Sequence, residues 1–146
     1  MMKKPLYIVG VDGSEWSNRA VMRAINLAKQ TNAQVELISV IEFGKIQPIL
    51  MEGTEPYIID KGNEQDETLK KIITPLLEKY KETGVEISYQ LLWGDPVDVL
   101  HECAKHEQAN MLFMGRRGRS RFVDLLLGSV ANKIAHKAGI PVVLVP

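Results

Sequence analysis

The 146-residue chain contains one cysteine, Cys103. A single thiol excludes an intramolecular disulfide framework and an all-cysteine zinc site, and it fits a reducing compartment. Net charge is lacking too. Eighteen Lys and Arg stand against eighteen Asp and Glu, so no overall field draws the chain onto nucleic acid or an anionic membrane, and any polyanion binding must be local. No apolar run approaches the ~20 residues of a membrane span. The opening MMKKPLYIVGVD has a short apolar stretch that Asp12 ends, which argues against a secretory signal and makes a cytoplasmic location the expectation. Repeats, low-complexity tracts and linkers are also lacking, so residues 1–146 are expected to form one domain. What is present, 45% hydrophobic and 25% charged residues, is the composition of an ordinary globular protein. A chain of this length buries roughly two thirds of its unfolded surface and needs no covalent staples.

Apolar runs alternate with helical patterns from end to end, which predicts an α/β fold in which crossover helices join the strands of a parallel sheet. Leu6 to Val11 is nearly continuous in apolar residues, as expected of a central strand covered on both faces. From Ser14 to Lys29, Ala20, Val21, Ala24, Ile25 and Ala28 recur at three and four residues, giving an amphipathic helix with Ser14 or Ser17 as its N-cap. Val35 to Ile41 is rich in β-branched residues and reads as the second strand. Residues 42–63 carry Pro48, Pro56 and three glycines without a sustained period, and read as a long, mobile surface loop. Leu69, Ile72, Ile73, Leu76 and Tyr80 mark the core face of a helix over Glu64 to Thr83, kinked by Pro75 and ended by Gly84. Val85 to Trp93 is the third strand. Gly94-Asp95-Pro96 then supplies an N-cap and a proline at the first position of a helix running through Glu107. A strand at Met111–Met114, a glycine-containing loop, a helix over Ser129 to Lys137 and a strand at Pro141 to Val145 complete five strands and four main helices.

In open parallel sheets, ligands sit beyond the carboxyl ends of the strands. After the first strand comes Asp12-Gly13-Ser14, a carboxylate and a flexible turn leading into a helix. After the fourth come Gly115-Arg116-Arg117-Gly118, nine residues, and Gly128-Ser129 at a helix start. Glycines let backbone N–H groups approach an anion, and the helix start adds donors and a positive dipole end. Neither G-x-x-x-x-G-K-[ST] nor G-x-G-x-x-G is present. Arg116, Arg117, Arg119 and Arg121 make a local positive patch, either a solvated loop or, through Arg116 or Arg117, a phosphate contact. One neighbouring aromatic, Phe122, and no net charge weigh against a nucleic-acid partner. Phe122, Val123, Leu125, Leu126 and Leu127 read as a short packed turn. His101 and His106 are five apart, so on a helix they point about 140° from each other and do not share a metal. Cys103 falls on the apolar side with Val99 and Leu100 and reads as a small buried residue.

The spacing of Gly115, Gly118, Gly128 and Ser129 resembles the G-2x-G-9x-G-[ST] ATP-binding signature of the universal stress protein family, and the resemblance runs over nearly the whole chain. It implies a doubly wound, Rossmann-like sheet of order 3-2-1-4-5 and a homodimer through the C-terminal strand. It also implies ATP with Mg²⁺ held through the phosphates. By that resemblance the adenine sits near Asp12 and Val40 and the ribose and phosphates near the glycine loop, with Val11, Met114, Gly115, Gly118, Gly128, Ser129 and Val130 completing the site; Arg116 or Arg117, from the positive patch and not from the resemblance, would add charge. Two departures from the family pattern are Ala131, where many ATP-binding members have Ser or Thr, and Gly10, where some have proline. The implied function is an ATP-binding stress-response regulator with at most slow hydrolysis, because no general base is recognisable beside the loop. The alternatives are a nucleotide-free dimeric interaction protein of the same fold and an enzyme that uses ATP on a substrate held beneath residues 42–63.

Overall fold

A computed structural model describes residues 3–42, 61–118 and 127–146. Five strands, β1 (Leu6–Gly10), β2 (Gln34–Ile41), β3 (Ile87–Trp93), β4 (Met111–Gly115) and β5 (Val142–Val145), form one sheet. Their order is β3-β2-β1-β4-β5, and every pair is parallel. The near-continuous apolar run at β1 has its physical reason here. The strand lies mid-sheet with a helical layer on each face, and Ile8 and Val9 are fully buried.

Alternation along the strands divides the core in two. Tyr7, Val9, Val35, Leu37 and Phe113 face α1 (Glu15–Thr31) and the helix that follows β2. Leu6, Ile8, Ile38, Leu112 and Met114 face α4 (Pro96–His106) and α5 (Ser129–Lys137). The helix after β2 is continuous over α2 (Lys61–Thr68), a π turn at Leu69–Ile73 and α3 (Thr74–Tyr80). It starts three residues before the expected Glu64, so Lys61 to Asn63 belong to it; of the rest of the expected loop only Glu42 is described, and residues 43–60 and the loop's mobility lie outside the described residues. Ile72, Ile73, Leu76 and Tyr80 are buried as the periodicity predicts, with Leu69 half-buried against them. Pro75 would drive its ring into the carbonyl four residues back. The helix accommodates it with the wider π turn, in which the Thr74 N–H bonds to the Leu69 carbonyl five residues back. The helix ends at Tyr80, three residues before Thr83, whose N–H and hydroxyl both donate to the Tyr80 carbonyl.

Local signals set the other boundaries. Ser14, not Ser17, is the N-cap of α1, and its side chain accepts from the Ser17 N–H. Asn32 takes the left-handed C-cap at φ 56°. Asp95 caps α4 by accepting from the Val97 and Asp98 N–H groups, with Pro96 at the first position. β1 stops at Gly10, although the Val11 N–H still donates to the Ile38 carbonyl, and β3 begins at Ile87, two residues after the expected Val85. Cys103 is half-buried, which corrects its assignment as a buried residue.

Candidate functional site

The sheet changes direction between β1 and β4. The chain leaves β1 for α1 on one face and leaves β4 for α5 on the other, so the two connections diverge and open a crevice at the carboxyl ends of the strands. A cavity of about 480 Å³ lies there. Val11 and Asp12 enter it from β1, Val40 from β2, Met114 and Gly115 from β4, Arg117 and Gly118 from the glycine loop, and Gly128, Ser129 and Val130 from the start of α5. Ten of the eleven residues singled out in the sequence therefore share one hollow. Arg116 is not among its lining residues. Its backbone ties the loop instead, donating to the Val145 carbonyl at 2.7 Å and accepting from the Gly128 N–H at 2.8 Å. Arg119, Arg121, Phe122, Val123, Leu125 and Leu126 lie outside the described residues.

Asp12 is held in one orientation. Its Oδ1 accepts from the Ser14 N–H at 2.9 Å, and its own N–H donates to Ser17 Oγ at 3.3 Å. Ser17 is buried and donates to the Ser14 carbonyl, so the β1–α1 turn is closed by its own side chains. The other carboxylate oxygen, Oδ2, faces Gly118, where a Cβ would come within 2.6 Å of it. The loop after β4 thus rests its backbone on Asp12. Gly128 brings the second limb of the loop against the first, because a Cβ there would lie 3.4 Å from Arg117 Cα. Both glycines leave backbone, not side chain, as the wall of the cavity.

At α5 the N-cap is Gly128, which offers no side-chain acceptor to the first turn, whereas Ser14 and Asp95 cap α1 and α4. The first-turn donors and the exposed Ser129 hydroxyl stand at the cavity with the positive end of the helix dipole behind them. That arrangement suits a phosphate or another compact anion. Opposite, Val40 and Met114 give an apolar wall that sequence reasoning left incomplete. Ile38 belongs to it, two residues from Val40 and on the same face of β2, as strand periodicity would have indicated. Pro96 and Leu100, four apart on α4, close the same side, although Pro96 read only as a helix start. Glu42, just beyond β2, brings a second carboxylate to the rim. The departures noted in the sequence are both here. Ala131 is 2% exposed and lines the cavity without a hydroxyl, and Gly10 lies where a Cβ would come 3.2 Å from Leu100 Cδ1.

Comparison with known proteins agrees with this architecture. The model of the universal stress protein family matches residues 7–146. Universal stress protein MJ0531 of Methanocaldococcus jannaschii is 30% identical over 138 residues, covering 94% of this chain and 79% of its own. Universal stress protein YxiE of Bacillus subtilis is 28% identical over 142 residues, covering 94% and 96%. Among solved structures, a universal stress protein in complex with cAMP superposes with a TM-score of 0.70 at 27% identity, covering 99% of this chain and 98% of that one. The fold of hypothetical protein MJ0577 superposes with a TM-score of 0.81 at 20% identity, covering 99% and 96%. With the sheet order, the placement of the crevice and a family match over nearly its whole length, this chain belongs to the universal stress protein family.

Proposed function

We propose that the cavity binds an adenine nucleotide, with ATP as the ligand, and that the protein works in the cytoplasm as a nucleotide-binding regulator of the stress response. The observation that carries this reading is the pairing, within one hollow, of an uncapped helix start beside backbone-walled glycines and an apolar slot between Val40 and Leu100. Phosphates match the first, with N–H donors of α5 and Ser129 Oγ available to them, and a flat base matches the second. Asp12, already fixed through Oδ1, presents an acceptor for ribose or base donors. Arg117 lines the cavity and supplies the charge that the sequence assigned to either arginine, while Arg116 acts through its backbone. The solved relative in complex with cAMP supports the ligand class.

Mg²⁺ takes mostly phosphate oxygens and water as ligands, so it enters with the nucleotide and neutralises phosphate charge there. Hydrolysis is slow in this reading, because Asp12 is engaged in positioning the β1–α1 turn and the glycine loop rather than in activating water. The C-terminal strand β5 pairs with β4 on one side only among the described strands, and we assign its other edge to a second copy of the chain.

Calorimetric titration of nucleotide-free protein with Mg·ATP tests the site. Saturable heat and a raised thermal midpoint are expected. Ser129→Ala should weaken affinity by about three- to thirty-fold, the net loss of one hydrogen bond from an exposed hydroxyl. No heat and no thermal shift at millimolar ATP would remove the nucleotide reading and favour a nucleotide-free interaction protein.

A further inference from the structure

On the face covered by α4, away from the cavity, β2 carries a carboxyl among apolar neighbours. Glu36 is 8% exposed, and it is the one carboxyl-bearing side chain that is buried among the described residues. It stands in register between Ile8 of β1 and Ser88 of β3. Glu107, which ends α4, meets it there. The Gln90 side chain of β3 bridges the two, its Nε2 donating to Glu36 Oε1 and, at 2.7 Å, to Glu107 Oε1. One amide thus serves two carboxyl groups from different elements. Glu107 Oε2 remains buried with no donor. Glu107 also lies at the C-cap of α4, the negative end of the helix dipole, where a carboxylate is disfavoured. Among the described residues neither carboxyl has an ion-pair partner. The Cys103 thiol of α4 lies beside the pair with Glu102 acting on that thiol, and the Lys3 ammonium reaches the backbone carbonyl of Glu107 at 3.5 Å rather than its carboxylate.

We infer that Glu36 and Glu107 share one proton, with Glu36 as its donor, so that the pair is a pH-sensitive clamp fastening the end of α4 to β2 and opening as pH rises. A proton on Glu36 supplies the donor that Glu107 Oε2 lacks and removes the repulsion between two carboxylates sharing one amide. Burial pushes the Glu36 carboxyl up to about 7; the hydrogen bond to Glu107 and the charge of Glu107 add to this, and the Gln90 donor opposes it. Cys103 next to the pair has its thiol pushed up as well, first by burial and then by the charges of Glu107, Glu36 and Glu102. The clamp holds the far end of a helix whose first turns, at Pro96 and Leu100, wall the cavity.

The sign follows from linkage. The folded protein binds a proton at Glu36 that the unfolded chain releases at lower pH, so stability is greatest below the ordinary carboxylate value and falls as pH rises through about 7. Two measurements on the full chain test it: carbon NMR titration of the glutamate carboxyls and thermal unfolding, both from about pH 5 to about pH 9. In the parent, the Glu36 resonance should titrate near neutrality while the folding equilibrium constant drops by up to about tenfold per pH unit below that point. Glu36→Gln, whose amide donates to Glu107 at every pH, should flatten that drop. Glu107→Gln should move the Glu36 titration down while leaving it above the ordinary range, because burial remains. The inference is overturned if the Glu36 resonance titrates in the ordinary carboxylate range, or if Glu36→Gln keeps the parental pH slope. Should Glu36→Gln not fold, the Glu36 titration in Glu107→Gln decides, and an unmoved value rejects the clamp.

Discussion

A Cβ on Gly115 would lie 2.6 Å from Trp16 Cβ and 2.8 Å from the Arg117 carbonyl oxygen, and on Gly118 it would lie 2.6 Å from Asp12 Oδ2. The first collision is with the stem of a packed helix and with backbone, neither of which yields cheaply. Gly115→Ala should therefore destabilise the fold by about 1–3 kcal/mol, read as a lowered urea midpoint at constant slope. The second collision is with one carboxylate. Gly118→Val should displace Asp12 and fill the glycine-loop side of the cavity, abolishing the calorimetric ATP signal expected of the parent while the thermal midpoint of the unliganded protein stays close to the parent's. Equal ATP affinity in parent and variant would show the site to be elsewhere. The glycine spacing was legible in the sequence, but its reason was not. Left-handed backbone is found at Gly13, Gly84 and Gly94, not at Gly118, where the constraint is a neighbour 106 positions earlier in the chain.

At the level of elements, helix starts with a side-chain cap were the clearest features of the sequence because they rest on contacts within four residues. Asp95 accepts from Val97 N–H at 3.0 Å and Asp98 N–H at 3.1 Å. Asp95→Ala should cost about 0.5–2 kcal/mol in chemical denaturation. The same variant should also weaken ATP binding if α4 walls the base, since Pro96 and Leu100 ride on its first turns. The helix between β2 and β3 shows where local reasoning stops. Its apolar face and proline were both visible, whereas the π turn depends on fitting Ile72 and Ile73 into the core on one side of Pro75 and Leu76 and Tyr80 on the other. A proline signals disruption, and the packing on either side selects its form.

For the whole molecule, the two edges of the sheet differ. Among the described strands β3 ends one side and β5 the other, and Val142, Val143 and Leu144 of β5 are half-buried in the single chain. Sedimentation at micromolar concentration should give a homodimer, and Val143→Asp should shift it to a folded monomer, since a charge on that edge opposes strand pairing. A monomeric parent would remove the proposal. Among the described residues no helix is long and apolar enough to cross a membrane.

The alternation of strands and helices, the central place of β1 and the positions that face the core are legible from residue order, because periodicity, capping and turn chemistry act over a few residues. With the glycine spacing, residue order also pointed to the ends of β1 and β4, where the cavity lies. Which neighbours meet across the chain depends on the assembled fold. It turned Arg117 into the cavity and Arg116 out of its lining, brought Ile38, Pro96 and Leu100 to the apolar wall, and set Glu36 against Glu107, 71 positions away. Such meetings follow from strand order and helix docking, which depend on the summed packing of the whole core and are written in no short window of sequence.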